Sequence, residues 1–128
     1  MTALAVAAVS LALGGLPGAQ VAATLRAEAA AFNARDFAAL WKLHTPRFRA
    51  TCNRTRYIAA ERRFRTRAGR LTVKQIRVTV FSTGRAFADY ILIAQSGQRA
   101  HNYGDVYAKV GTRWLDDLDR RGTAGCEY

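Results

Sequence analysis

Four residues with chemically active side chains alternate along one predicted strand near the end of the chain: His101, Tyr103, Asp105 and Tyr107. Residues two apart in a β-strand share a face, so this spacing predicts that the four side chains point the same way. If that face is buried, the Asp105 carboxyl has a raised pKa and donates a hydrogen bond to a ligand oxygen. Asp105 with His101 is therefore a weak catalytic candidate. The alternative is the solvated face of an antiparallel strand.

Other chemistry finds little support in the sequence. His44 lies between a predicted helix and Thr45-Pro46, where a hydrogen bond at the helix end is expected. Two histidines far apart, without neighbouring ligands, predict no metal site. No phosphate-binding loop or nucleophile motif is present, and we expect no cofactor. The acids near the C-terminus are expected to pair with an arginine-rich helix, and a weak cation site is the alternative: Asp116, Asp117, Asp119 and Glu127.

Hydrophobic periodicity predicts three helices followed by strands. An apolar stripe through Val21, Leu25 and Phe32 predicts a first helix that ends near Asn33. Asp36 is expected to cap a second helix, which Thr45-Pro46 ends, and Asn53 or Thr55 a third, which Gly69 ends. From Leu71 the period changes to two, with a bulge near Lys74-Gln75 and turns at 82–84, 96–97 and 111–112. The order predicts an α+β domain with an antiparallel meander of at least four strands.

The N-terminal segment and the cysteines indicate export. Residues 3–16 are almost continuously apolar and have the length of a secretory signal region, so we expect a signal peptide or apolar segment over 1–19. The two cysteines, Cys52 and Cys126, are expected to form a disulfide in an oxidising compartment. We predict a folded domain over 20–121 and a tail, 122–128, tied by Cys126. The expected location is secreted or cell envelope.

The charge is concentrated in one part of the chain. The sequence has 20 basic and 9 acidic residues, and the segment 47–77 holds eleven of the basic residues against Glu61 alone. Such a field attracts anionic surfaces in a salt-dependent way. The third helix is expected to present an arginine-rich patch that is simply a solvated face without partner, and docking on an anionic envelope surface or an acidic protein is the alternative. Nucleic acid is a disfavoured partner. The patch comprises Arg54, Arg56, Arg63, Arg67 and Arg70.

Two segments carry a resemblance to a known superfamily. The helix break in NARDFAALWKLHTP (33–46) and the final hairpin DVYAKVGTRWLDDL (105–118), with the element order between them, resemble nuclear transport factor 2-like proteins, which include ketosteroid isomerases and polyketide cyclase-like proteins. The resemblance implies three helices packed on a strongly curved sheet, forming a cone with a cavity. It also implies that Asp105 stands where steroid isomerases keep a protonated aspartate. The base and the tyrosine of those enzymes have no counterpart here.

These observations favour a non-enzymatic, exported domain that binds a small apolar ligand or a protein partner. One alternative is an isomerase or cyclase that uses Asp105 and His101, and another is docking on an anionic envelope surface through the arginine-rich helix. A homodimer is left open. The expected pocket residues, for which plain core packing is the alternative, are Phe32, Trp41, Tyr57, Tyr90, Tyr103 and Asp105.

Overall fold

The computed structural model describes residues 16–118 and residue 126. The predicted α+β class is confirmed, because four helices precede a four-stranded antiparallel sheet that is not closed. The helices are α1 (Pro17–Asn33), α2 (Phe37–Lys42), α3 (Pro46–Thr51) and α4 (Arg54–Ala68). The strands are β1 (Leu71–Ser82), β2 (Arg85–Ala94), β3 (Arg99–Val110) and β4 (Arg113–Asp116).

Helix α1 buries the predicted stripe and is tied to the sheet at its end. Val21, Leu25 and Phe32 are buried, and the helix packs mainly against β1 and β4. The Asn33 side chain, in the last turn, donates to the carbonyl of Leu71 (2.9 Å) and accepts from its N–H (2.7 Å). The helix begins at Pro17, and Val21 in its second turn is fully buried.

The break between α1 and α2 lies where the sequence places it. Arg35 adopts a left-handed backbone conformation (φ 59°) that ends the path of α1. The Asp36 carboxylate then accepts a hydrogen bond from the N–H of Ala39 (3.1 Å), so Asp36 caps α2 as predicted.

The short helix α3 was not predicted. Thr45-Pro46 ends α2 as predicted, but the Thr45 side chain also accepts a hydrogen bond from the N–H of Phe48 (3.1 Å) and thereby begins a new helix. Proline is well suited to the first helical position, where its missing N–H is not needed. Asn53 caps α4 and Gly69, with φ 73°, follows its last residue, as expected.

The sheet is a meander in the order β1-β2-β3-β4, and two of its strands carry bulges at the same level. On β1, Gln75 and Ile76 lie together opposite Tyr90, which confirms the predicted bulge; Gln75 has φ 54°. On β3, Tyr103 and Gly104 lie together opposite Asp89, and Gly104 has φ 72°. Bulges bend their strands and increase the local twist.

The core is built largely from aromatic side chains on the helices. Trp41 contacts Phe48 and Tyr57 with ring centroids 5.9 and 5.2 Å apart. Phe32 packs in the same cluster against Phe37 and Phe64. None of the helices within 16–118 is long and apolar enough to cross a membrane. Residues 1–15 of the predicted signal segment (1–19), and all of the predicted tail except Cys126, lie outside the described residues.

The predicted disulfide between Cys52 and Cys126 is present, with Cα atoms 5.3 Å apart. It joins the end of α3 to a residue 74 positions further along the chain. Cys52 is buried, and Cys126 packs against the helical cluster that contains Trp41. The crosslink therefore fixes Cys126 to the helical layer.

Removing this crosslink should lower the stability of the fold. A closed loop of this length reduces the entropy of the unfolded chain by an amount worth about 4 kcal/mol at 25 °C. We expect the double variant Cys52→Ser/Cys126→Ser to lose about that free energy of unfolding in urea relative to the oxidised protein. Thiol titration of the unfolded, unreduced protein should find no free thiol, and two reactive thiols would contradict the pairing.

Candidate functional site

A partly open pocket of about 370 Å³ lies between the helices and the sheet. This volume falls in the range of about 300–1,000 Å³ that is usual for small-molecule sites. The apolar part of the lining comes from α1, α2, α4 and the first two strands: Leu25, Phe32, Leu40, Phe64, Leu71, Val73 and Leu92. Five carboxyl groups also line the pocket: Glu28, Glu61, Asp105, Asp116 and Asp117. The pocket therefore has an apolar wall and a strongly acidic end.

The bulge on β3 decides which residues of that strand reach the pocket. Asp105 lies opposite Ala88 on β2, and His101 lies opposite Ile91. Because Ala88 and Ile91 are separated by an odd number of positions, their side chains point to opposite faces of the sheet. The side chains of Asp105 and His101 therefore also lie on opposite faces. The prediction that both share one face is wrong, because the extra residue at Tyr103–Gly104 reverses the alternation. Asp105 and Tyr107 face the helices, whereas His101 is exposed and stacks on Tyr103 (ring centroids 3.9 Å apart).

Four of the six predicted pocket residues line the pocket: Phe32, Tyr57, Tyr90 and Asp105. The other two lie elsewhere. Tyr103 is 73% exposed, because the bulge directs it away from the helices. Trp41 is buried in the helical core, where Phe48 and Tyr57 contact its ring and fill the space that a ligand would need.

The centre of the acidic end is the pair Glu28 and Asp116, from α1 and the end of β4. The Tyr107 hydroxyl donates a hydrogen bond to Glu28 Oε1 (2.6 Å), and the two carboxyls lie close enough to share a proton. Burial raises the pKa of Glu28 to about 7, against the hydrogen bonds from its neighbours. Burial and the charge of Glu28 raise the pKa of Asp116 well above its usual range. At neutral pH the pair therefore retains a proton.

A second carboxyl–tyrosine pair lies beside the first. The Tyr90 hydroxyl donates to Asp105 Oδ2. Burial raises the pKa of Asp105, and the hydrogen bond from Tyr90 acts in the opposite direction. Burial and the Asp105 charge also raise the pKa of Tyr90, which keeps the phenol protonated as a hydrogen-bond donor. The pocket thus presents two carboxyl–tyrosine pairs toward one space.

Asp117, in contrast, is held as an anion. Burial alone would raise its pKa, but the hydrogen bonds from Thr45 Oγ1 (2.6 Å) and the backbone of Leu118, with the charges of Arg47 and Arg85, lower it. Arg85 Nη1 lies 2.6 Å from Asp117 Oδ2 and Arg47 Nε lies 3.4 Å from Oδ1. Asp117 is thus paired with arginines of α3 and β2, and not with the arginine-rich helix as expected. Asp119 and Glu127 lie outside the described residues.

His44 has a different environment from the helix-end hydrogen bond expected for it. Its ring stacks on Phe48 (centroids 3.8 Å apart), and Nε2 lies 2.7 Å from the Tyr57 hydroxyl. Nδ1 is buried, has no hydrogen-bond partner among residues 16–118 and 126, and lies 3.9 Å from Asp116 Oδ2. Burial lowers the pKa of His44 to about 4, although the nearby Asp116 backbone opposes this shift. The imidazole is therefore neutral at physiological pH.

Glu28, His44 and Asp116 form a group that sequence reasoning missed. One ligand-type atom of each residue lies within 4.8 Å of the others. The three residues lie far apart in the chain, so their spacing forms no motif. One signal was available: Glu28 lies one helical turn from both Leu25 and Phe32, so its carboxyl belongs to the buried stripe of α1.

The arginine-rich patch lies on the surface. Arg54, Arg56, Arg63, Arg67 and Arg70 are all exposed. Arg67 lies over the Phe64 ring, with its guanidinium carbon 5.9 Å from the centroid, so its stem covers part of the pocket wall. The protein therefore separates its charges, with arginines outside and carboxyls inside.

The comparisons with known proteins name no family. No family model matches the chain, and no curated protein matches it. The fold and the pocket thus define a class only: an α+β domain with a disulfide and an acidic, partly apolar pocket. A disulfide of this kind fits an extracellular location.

Glu28→Gln provides a pH test of the buried pair. A carboxyl whose pKa is raised from 4.5 to about 7 holds its proton more tightly when folded, so its contribution to stability is present at low pH and is lost as pH rises through that interval. The loss is on the order of 3 kcal/mol. Glutamine mimics the protonated form at every pH. The variant should therefore match wild type near about pH 5 and be more stable near about pH 8.

The measurement is urea unfolding of both proteins with a chelator present. His44, whose pKa is lowered from 6.5 to about 4, adds stability as pH rises over that interval, but it does so in both proteins and cancels in the difference. A stability difference that does not change between the two pH values would contradict the buried titration of Glu28.

Proposed function

We propose that this chain is an extracytoplasmic domain of the nuclear transport factor 2-like type that binds a small organic molecule in the pocket. The observation that carries the proposal is the pocket of about 370 Å³ with an apolar wall and a converging acidic end. Side chains of the protein leave this space unfilled, although interiors are normally packed to high density. The disulfide supports the exported location, and the element order supports the type of fold.

The chemistry of the lining restricts the ligand. The apolar wall favours an aromatic or aliphatic body, since burial of apolar surface contributes about 25 cal/mol per Å². Among the residues that the structure describes, no lysine or arginine lines the pocket, and the nearby Arg47 and Arg85 are bound to Asp117. A carboxylate ligand would meet repulsion there, whereas an N–H or O–H group would find acceptors at Glu28 and Asp105. The ligand class is therefore an apolar molecule with a hydrogen-bond donor, such as an aryl amine.

A fluorescent aryl amine tests this proposal. N-phenyl-1-naphthylamine is uncharged, has an apolar body and one N–H donor, and becomes fluorescent in apolar surroundings. We expect saturable binding with a stoichiometry of one probe per chain. Replacing Leu92, which lines the pocket, by tryptophan overfills the space at a cost of about 1–3 kcal/mol and should weaken binding about tenfold or more.

Ile93→Trp is the matched control. Ile93 is the next residue on β2 and is directed to the opposite face, outside the pocket lining. Its replacement by tryptophan should leave the probe affinity unchanged. Equal affinity in wild type and Leu92→Trp would show that the probe binds elsewhere and would contradict the pocket proposal.

The exposed arginines favour a second candidate function, docking of the same domain on an anionic envelope surface. Arg56, Arg63 and Arg67 lie seven and four positions apart on α4 and are all exposed. This spacing places them on one side of the helix. A basic side chain near an anionic membrane contributes about 1 kcal/mol, so three together give roughly a hundredfold in affinity.

Two triple variants of equal net charge test the docking surface. Arg56→Gln/Arg63→Gln/Arg67→Gln should reduce sedimentation with phosphatidylglycerol vesicles roughly a hundredfold at low salt, and added salt should remove the remaining binding. The control, Arg26→Gln/Arg99→Gln/Arg113→Gln, removes three exposed arginines from other elements. If both variants lose the same amount of vesicle binding, the loss is explained by net charge alone, and the proposal of a defined docking surface is contradicted.

A further inference from the structure

We propose that Glu28, His44 and Asp116 form a binding site for one divalent transition-metal ion, such as Zn²⁺, at the acidic end of the pocket. The three residues come from α1, from the loop after α2 and from the end of β4, and one ligand-type atom of each lies within 4.8 Å of the others. This site goes beyond the proposed binding of an organic molecule, because it needs these three side chains and not the apolar wall.

The separations suit a single ion. Zn²⁺ binds carboxylate oxygen and imidazole nitrogen at about 2.0–2.2 Å, so two ligands of a tetrahedral ion lie about 3.3–3.6 Å apart. His44 Nδ1 and Asp116 Oδ2 are 3.9 Å apart, slightly beyond that range. All three ligand-type atoms lie within 4.8 Å of one another, and side-chain rotation by about 1 Å can bring them to the required separation.

His44 supplies the observation that points to a ligand rather than to a simple acidic cluster. Its side chain is only 7% exposed, and its Nδ1 has no hydrogen-bond partner among the described residues although it is directed at Asp116. A buried polar atom without a partner destabilises the fold. When Nε2 carries the proton and donates it to the Tyr57 hydroxyl, 2.7 Å away, Nδ1 presents a free electron pair to the space between the two carboxyls.

The surroundings resemble the outer shell of a metal centre. Metal-binding histidines usually use their other ring nitrogen in a hydrogen bond, as His44 does with Tyr57, and metal-binding carboxylates are themselves hydrogen-bonded, as Glu28 is by Tyr107. One imidazole with two carboxylates suits Zn²⁺, Mn²⁺ or Fe²⁺ better than Mg²⁺. A cation would also relieve the repulsion between Glu28 and Asp116. Three protein ligands leave a coordination position open toward the pocket.

Metal titration of the full, oxidised chain tests the site. The untagged protein is stripped with a chelator and titrated with Zn²⁺ at neutral pH by calorimetry, and bound metal is counted after dialysis. We expect one Zn²⁺ per chain and a rise in melting temperature with Zn²⁺ but not with Mg²⁺. His44→Phe keeps a ring against Phe48 but removes the nitrogen ligand, and it should weaken Zn²⁺ binding by at least about tenfold. Asp116→Asn should do the same.

His101→Phe is the matched control, because His101 is the other histidine of the chain and is exposed outside the pocket. This variant should bind Zn²⁺ as wild type does. Near-ultraviolet circular dichroism identifies any variant that fails to fold, and Asp116→Asn replaces His44→Phe as the deciding variant in that case. Absence of Zn²⁺ binding by wild type, or a loss that follows His101 instead of His44 and Asp116, overturns the proposal. Binding of N-phenyl-1-naphthylamine is measured in the same His44→Phe variant. If the variant loses Zn²⁺ binding but still binds the probe, the metal site and the organic-ligand site are shown to be separate.

Discussion

The two β-bulges on either side of β2 are the constraint on which the pocket depends. Gln75–Ile76 on β1 and Tyr103–Gly104 on β3 each add one residue at the level of Asp89 and Tyr90. Since each insertion reverses the alternation of side chains, Asp105 and Tyr107 point toward the helices and not away from them. Only then can Tyr107 reach Glu28 on α1, and Tyr90 reach Asp105 across the strand pair. The bulges thus decide both the shape of the sheet and the chemistry of its inner face.

The distribution of charge follows from that geometry. The chain has a formal net charge of +11, yet five of its nine acidic residues line one pocket. Asp117 is compensated by two arginines and a threonine, whereas no lysine or arginine of the described residues forms an ion pair with Glu28 or Asp116. Two carboxyls in such surroundings cannot both ionise at ordinary cost, so they hold a proton or accept a cation or donor from outside. The carboxyls of one pocket thus differ in whether an arginine neutralises their charge, because Arg47 and Arg85 reach only Asp117.

The sequence predicted the elements better than the site. Local signals were sufficient for the buried stripe of α1, the cap at Asp36, the bulge near Lys74-Gln75 and the disulfide. Thr45-Pro46 was ambiguous, since the same pair can end one helix and begin another. The second bulge had only Gly104 as a signal, and without it the strand face of His101, Tyr103 and Asp105 was assigned wrongly. Glu28, His44 and Asp116 come together only through tertiary packing, which no local pattern encodes.

The acidic end is difficult to explain as a device for stability. A buried ionisable group is generally no more stabilising than a well-packed apolar side chain of similar volume, and removal of its partner is costly. Burial raises the pKa of Glu28, and burial together with the Glu28 charge raises the pKa of Asp116. His44 buries a nitrogen that has no hydrogen-bond partner among the described residues. Three destabilising features therefore lie at one point of the core. Any occupant that supplies positive charge or hydrogen-bond donors relieves all three and stabilises the folded state in proportion to its affinity. Binding and folding are therefore linked through the same few atoms, which is the arrangement expected of a binding site and not of structural packing.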